Sequence, residues 1–165
     1  MSAPPTRSMS SSRLITIGAA FFILALAIAA VFDVNLRGLH LVQASTYVAT
    51  IVLSRRGSRW GYFLGISVAA FWNYILLFVS PIPARFLQHP TEPDLVLQSL
   101  AWIANAFVII GCVYGYYRLP NRSRADFGRF VVAFALATAV LAVGIALFSP
   151  SRLVMFRQAF HPHWP

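Results

Sequence analysis

Side chains able to do chemistry are few in this sequence, and their spacing decides what they can do. Four histidines (His40, His89, His161, His163) and four carboxylates (Asp33, Glu92, Asp94, Asp126) are scattered along the chain, with Cys112 the sole cysteine. Imidazoles and carboxylates together can hold zinc or copper, and His161-Pro-His163 has the form of a short metal pair, although proline constrains it. One thiol can form neither an intrachain disulfide nor a paired redox centre. Ser45 and Thr46 lie five and six residues beyond His40, on another face of any helix, so no hydroxyl is matched with a base. Glycine-rich phosphate loops are absent. No catalytic residue is assigned, no cofactor is called for, and the expectation is a protein that is not an enzyme.

A second set of polar side chains is distinguished by depth. Gln43, Asn73 and Asn105 each sit within an apolar segment. At the helical rise of about 1.5 Å per residue, all three fall about 16–18 Å from the same end of their segments. Gln98, Asn105 and Cys112 are seven apart and share a helical stripe, with Trp102 near Asn105 and Trp72 next to Asn73. A midplane layer of amides and indoles is the result. It can serve as interhelical glue or as a weak ligand-binding site for a small neutral or aromatic molecule.

The elements that must position these groups follow from composition. Of 165 residues, 59% are hydrophobic and only 10% charged, whereas a soluble domain carries about 25% charged residues. The fold class expected is all-α, a polytopic transmembrane bundle behind a disordered tail over residues 1–12. Five apolar segments are expected as spans, at about 14–33, 38–54, 61–80, 95–117 and 130–149. The first could be mistaken for a signal peptide, but it is longer than a typical h-region and further spans follow. The second is the weak one, because His40, Gln43, Ser45, Thr46, Tyr47 and Thr50 make it polar for lipid. Pro81, Pro83, Pro120 and Pro150 lie at or just past segment ends. Ser123 with Asp126 three residues on has the spacing of a capping box. After Pro150, Leu153, Phe156 and Phe160 beside Arg152 and Arg157 suggest a short interfacial helix.

All 13 basic residues are arginines. An N-terminus inside the cell places nine of them in the cytoplasm and four outside, the positive-inside pattern of an inner (plasma) membrane protein with N-in and C-out ends. Trp60, Tyr62, Tyr114, Tyr116 and Tyr117 then gather toward the inner interface, and the four histidines toward the outer face, where they form a weak metal candidate. Arginines dispersed between apolar runs do not form the single basic face that nucleic acid requires.

Small residues mark packing faces: Gly61, Gly65 and Ala69 recur every four residues, as do Ala25 and Ala29, Ala133 and Ala137, and Ala135 and Ala139. The function expected is that of an accessory subunit or homo-oligomer acting through helix packing, with the lipid bilayer and a membrane-protein partner or second copy as its neighbours. The alternative is a small-molecule carrier or membrane-embedded binding subunit that uses the amide layer.

Overall fold

The structure, a computed structural model, describes residues 10–79 and 82–150. Most of the expected N-terminal tail, the expected interfacial segment after Pro150, and His161 and His163 lie outside the described residues. All regular structure described is helical: α1 (Ser11–Phe32), a 3-10 turn at Val34–Leu36, α2 (Arg37–Arg55), α3 (Arg59–Tyr74) extended by a π-helical turn at Ile75–Val79, α4 (Ile82–Gln88), α5 (Pro93–Tyr117) and α6 (Ala125–Phe148).

Four of these helices are long and apolar enough to cross a membrane: α1, α3 through Phe78, α5 and α6. The protein is a multi-pass membrane protein. The expected count of five is one more than this measure supports, because α2 carries too many hydrogen-bonding side chains. The bundle explains where they go. Gln43, Thr46, Tyr47, Thr50 and Ser54 are buried, while Leu41, Val48 and Val52 face outward. Ser45, exposed among them, donates its hydroxyl to the Val42 carbonyl at 2.7 Å. The polar face of α2 is therefore inside and its apolar face outside, the reverse of a helix on a water-soluble protein.

Helix neighbours define a ring. α1 packs on α2 and α5, and α3 packs on the same two helices from the other side, so that α1, α2, α3 and α5 surround one core. α6 lies outside it, against α3 and α2. α3 is thus the most enclosed helix, with every residue from Gly61 to Leu77 buried or half-buried. α4 occupies a stretch that sequence reading left between spans, and it packs on α5.

Close approaches set the register. A Cβ at Gly38 would run into the Phe148 ring, one at Gly65 would lie 2.5 Å from Cys112 Sγ and 2.7 Å from Thr50 Cγ2, and one at Gly61 would strike the Ser54 backbone. α2 accordingly runs the whole height of the bundle, from the C-terminal end of α6 to the N-terminal end of α3. Gly18 sits 2.7 Å, measured from an added Cβ, from the Ala104 carbonyl, and Gly111 meets Ile15 in the same way. Ala69 is fully buried. The Gly61, Gly65 and Ala69 stripe of α3 is consequently used up inside the chain, closing α3 onto α2 and α5.

Substituting Gly65 by Leu should lower stability by about 1–3 kcal/mol, since neither Cys112 nor Thr50 can retreat within a packed core. Cys112 is fully buried, so its reaction with a thiol-specific dye on heating in detergent reports unfolding. The expected result is a lower midpoint for Gly65→Leu and a smaller loss for Gly65→Ala.

Candidate functional site

The amides expected to form a layer gather around α2 and α5, which face one another across the ring. Counting from the contact of Gly65 with Thr50 and Cys112, Gln43, Asn73 and Asn105 each lie about 10–12 Å further along their helices. The three amides therefore share one level, as their depths suggest. Gln43 and Asn105 are buried, and Asn73 is half-buried. Trp72 is half-buried and meets Phe71 edge to face at 5.5 Å. Trp102 turns away from the ring and is 37% exposed. Gln98, sharing a stripe with Asn105 by spacing, instead donates its amide to Asp94 Oδ2 at 2.5 Å, near the start of α5.

The residue that organises this layer is Tyr47. Its hydroxyl donates to Asn105 Oδ1 and bridges the ring from α2 to α5. Its ring stacks on Phe22 of α1 at 4.3 Å between centroids, and both Tyr47 and Asn105 are wholly buried. The hydroxyls around it return to their own helix: Thr46 donates to the Gln43 carbonyl at 2.7 Å, Thr50 to the Thr46 carbonyl at 2.9 Å and Ser67 to the Phe63 carbonyl at 2.7 Å. Such back-bonding satisfies a donor without a partner helix. Gln43 Oε1, Asn105 Nδ2, Asn73 Oδ1 and Trp72 Nε1 are buried and lack a protein partner. Sequence reading noted Tyr47 only as one polar residue of a weak span. The missed signal is that Gln43, Tyr47, Thr50 and Ser54, spaced by four, three and four, form one helical face of hydrogen-bonding groups.

A second polar cluster lies where α5 passes to α6. Asp126, 2% exposed, accepts from Arg129 at 2.7 Å, Arg59 at 3.3 Å, the Tyr116 hydroxyl at 3.2 Å and the Ser123 backbone N–H at 3.1 Å. The last of these is the reach-back half of the expected capping box, and it starts α6 at Ala125. Arg59 also donates to the Pro120 carbonyl at 3.0 Å and the Asn121 carbonyl at 2.6 Å, while Asn121 takes the left-handed conformation at φ 58°. One arginine from the start of α3 thereby holds the α5–α6 loop in place. Arg13, Arg55, Arg56, Arg59, Arg118, Arg122, Arg124 and Arg129 all belong to this end of the bundle, against Arg37 and Arg85 at the other. Arg37 is itself engaged there, donating to the Ala30 carbonyl at 2.9 Å.

His40 is half-buried near the start of α2, and His89 is exposed after α4. Among the described residues no group of three or more His, Cys, Asp or Glu could hold a metal ion. No family model matches the chain, and no curated protein or solved structure matches it either.

Two outcomes follow from these clusters. Asn105→Leu and Tyr47→Phe should each lower stability by about 1–3 kcal/mol, because each leaves the other partner buried and unpaired. The double variant should recover part of that loss, read as a positive coupling in a double-mutant cycle. Replacing Asp126 by Asn should free the α5–α6 loop, seen as severalfold faster tryptic cleavage after Arg122 and Arg124 while Cys112 stays protected.

Proposed function

We propose that the chain is a subunit of the inner (plasma) membrane that crosses it five times, N-terminus inside, and works by helix packing rather than catalysis, pairing with a second copy through α6. The observation that carries this reading is the uneven use of α6. One side, with Ala133, Ala137, Leu141 and Gly144, is buried against the rest of the bundle. The other side presents Gly128, Ala135, Ala139, Ala142 and Ala146, all exposed, at intervals of seven, four, three and four residues. Exposed positions of α5 carry bulky groups instead, among them Leu100, Ile103, Phe107 and Ile110, and α1 exposes two small residues, Ala20 and Ala27, among Phe21, Leu24 and Ile28. Lipid supplies no hydrophobic drive between helices, so association relies on close approach, which small residues permit.

The five-span part of the reading is supported by the height of α2 and by its outward apolar face. The orientation is supported by the excess of arginines at the end where α1 begins. A second reading, a binding subunit for a small neutral molecule at the amide layer, draws on the buried Gln43 Oε1 and Asn105 Nδ2 that lack a protein partner. Such a subunit would be stabilised by its ligand without a change in the number of protein copies.

The mass of the native particle after gentle solubilisation tests the main reading. Two copies are expected, with Ala139→Phe shifting the particle to one copy while Cys112 stays protected. A wild-type monomer at every concentration, or a particle held together by a different protein, would overturn self-association. Cysteines placed at Ser10 and Pro150 in a Cys112→Ala background should label from opposite sides, and labelling from one side would overturn five spans.

A further inference from the structure

α5 and α6 flank α3 at the arginine-rich end without closing on each other, and between them runs an open groove of about 390 Å³. Phe63 of α3, Val113 and Tyr117 of α5, Phe127 and Phe130 of α6 and Arg124 line it, with Phe63 buried at its inner side. Val113, Tyr117 and Phe127 are exposed, on the sides of α5 and α6 that carry the outward apolar residues Ile110 and Val131. From Arg124 to Phe130 the groove descends about 9 Å into the apolar zone at helical rise.

The rim is net cationic, although Asp126 also lines the groove. Residues 118–129 hold four arginines and one carboxylate. That carboxylate, Asp126, is engaged by Arg59 and Arg129. Among the described residues no carboxylate lies within ion-pair distance of Arg118, Arg122 or Arg124. Aromatic rings hold two of these guanidinium groups: Arg118 lies 4.2 Å from the Tyr114 centroid and Arg122 lies 5.2 Å from the Tyr117 centroid. Arg122 is thus fixed over a ring that itself lines the groove, which leaves its N–H edge free for a further acceptor.

The geometry points to a binding site for an anionic phospholipid, its phosphate at Arg122 and Arg124 and the upper part of one acyl chain in the groove beneath them. The two halves of the site match the two halves of that molecule, in the order in which a bilayer presents them. Planar guanidinium groups suit phosphate oxygens, and basic pockets between membrane helices on the cytoplasmic side are the sites that anionic headgroups occupy. A free anion would use the rim and leave the aromatic groove empty. A protein helix would use the groove and gain nothing from the unpaired arginines. The inference rests on the proposed orientation, with this end of the bundle at the cytoplasmic surface of a bilayer, and not on pairing through α6.

The test uses the full chain purified in a neutral detergent and exposed to mixed micelles of phosphatidylcholine and phosphatidylglycerol, with retained lipid counted by native mass and stability followed through Cys112. Retention of phosphatidylglycerol over phosphatidylcholine and a raised unfolding midpoint are expected. Each arginine near a headgroup contributes about fivefold to that preference, so Arg122→Gln with Arg124→Gln should reduce it by about 25-fold. Arg85→Gln, at the opposite end, should leave it unchanged. Val113→Trp, which fills the groove, should reduce retention with the arginines intact. Equal retention of the two lipids, an unaltered preference in the double arginine variant, or equal stabilisation by inorganic phosphate alone would overturn the site. Particle mass is read in the same experiment, so failure of self-association is seen separately.

Discussion

The hydrogen bond from Tyr47 to Asn105 crosses the centre of a ring of four helices, and the helix that supplies Tyr47 is stable in that ring for one reason. Hydrocarbon offers no partner for a hydroxyl or an amide, so a polar helix face must be enclosed by protein. α2 presents Gln43, Tyr47, Thr50 and Ser54 on one side, and α1, α3 and α5 enclose that side. Back-bonding within α2 satisfies the threonines and Ser54, which leaves the longest side chain to reach the opposite helix. The ring arrangement is thus the consequence of having one polar helix to cover.

Enclosure of this kind depends on helices coming close, and the glycines show how close. Gly18 and Gly111 bring α1 onto α5, and Gly61 and Gly65 bring α3 onto α2 and α5. Because lipid chains are as apolar as leucine, dispersion between tightly packed backbones must supply what water would supply in a soluble core. These stripes serve the chain itself. α6 is built differently: it stands outside the ring, commits one small-residue face to α3 and α2, and keeps another in the open. α6 thus adds Ala137, Leu141 and Ile145 to the core from one side only.

The two ends of the bundle are unequal in charge, and the inequality is organised rather than diffuse. Asp126 sits buried among Arg59, Arg129, Tyr116 and the Ser123 N–H, and Arg59 extends the same network to the loop carbonyls. A buried carboxylate is tolerated only when its lone pairs are engaged this fully. With its single acid consumed, the loop leaves Arg118, Arg122 and Arg124 without a carboxylate partner among the described residues. Aromatic rings beneath them provide orientation that ion pairing otherwise would.

The residue types alone determined that this chain belongs in lipid, that its helices end near its prolines, and that Gln43, Asn73 and Asn105 lie at one depth. Each of these depends on composition or on a fixed rise per residue, and both are properties of a single segment. Sequence also exposed α2 as anomalous, and hydropathy averaged over a helix still ranks it below the four apolar helices, because an average discards the face on which each residue lies. Tertiary structure alone decided that Tyr47 rather than Gln43 or Asn73 pairs with Asn105, that Trp102 faces outward, and that Asp126 gathers Arg59 from 67 residues away. Those outcomes depend on which helices become neighbours and at what rotation, and neighbours are chosen by the combined shapes of several helices, which no single stretch of chain encodes.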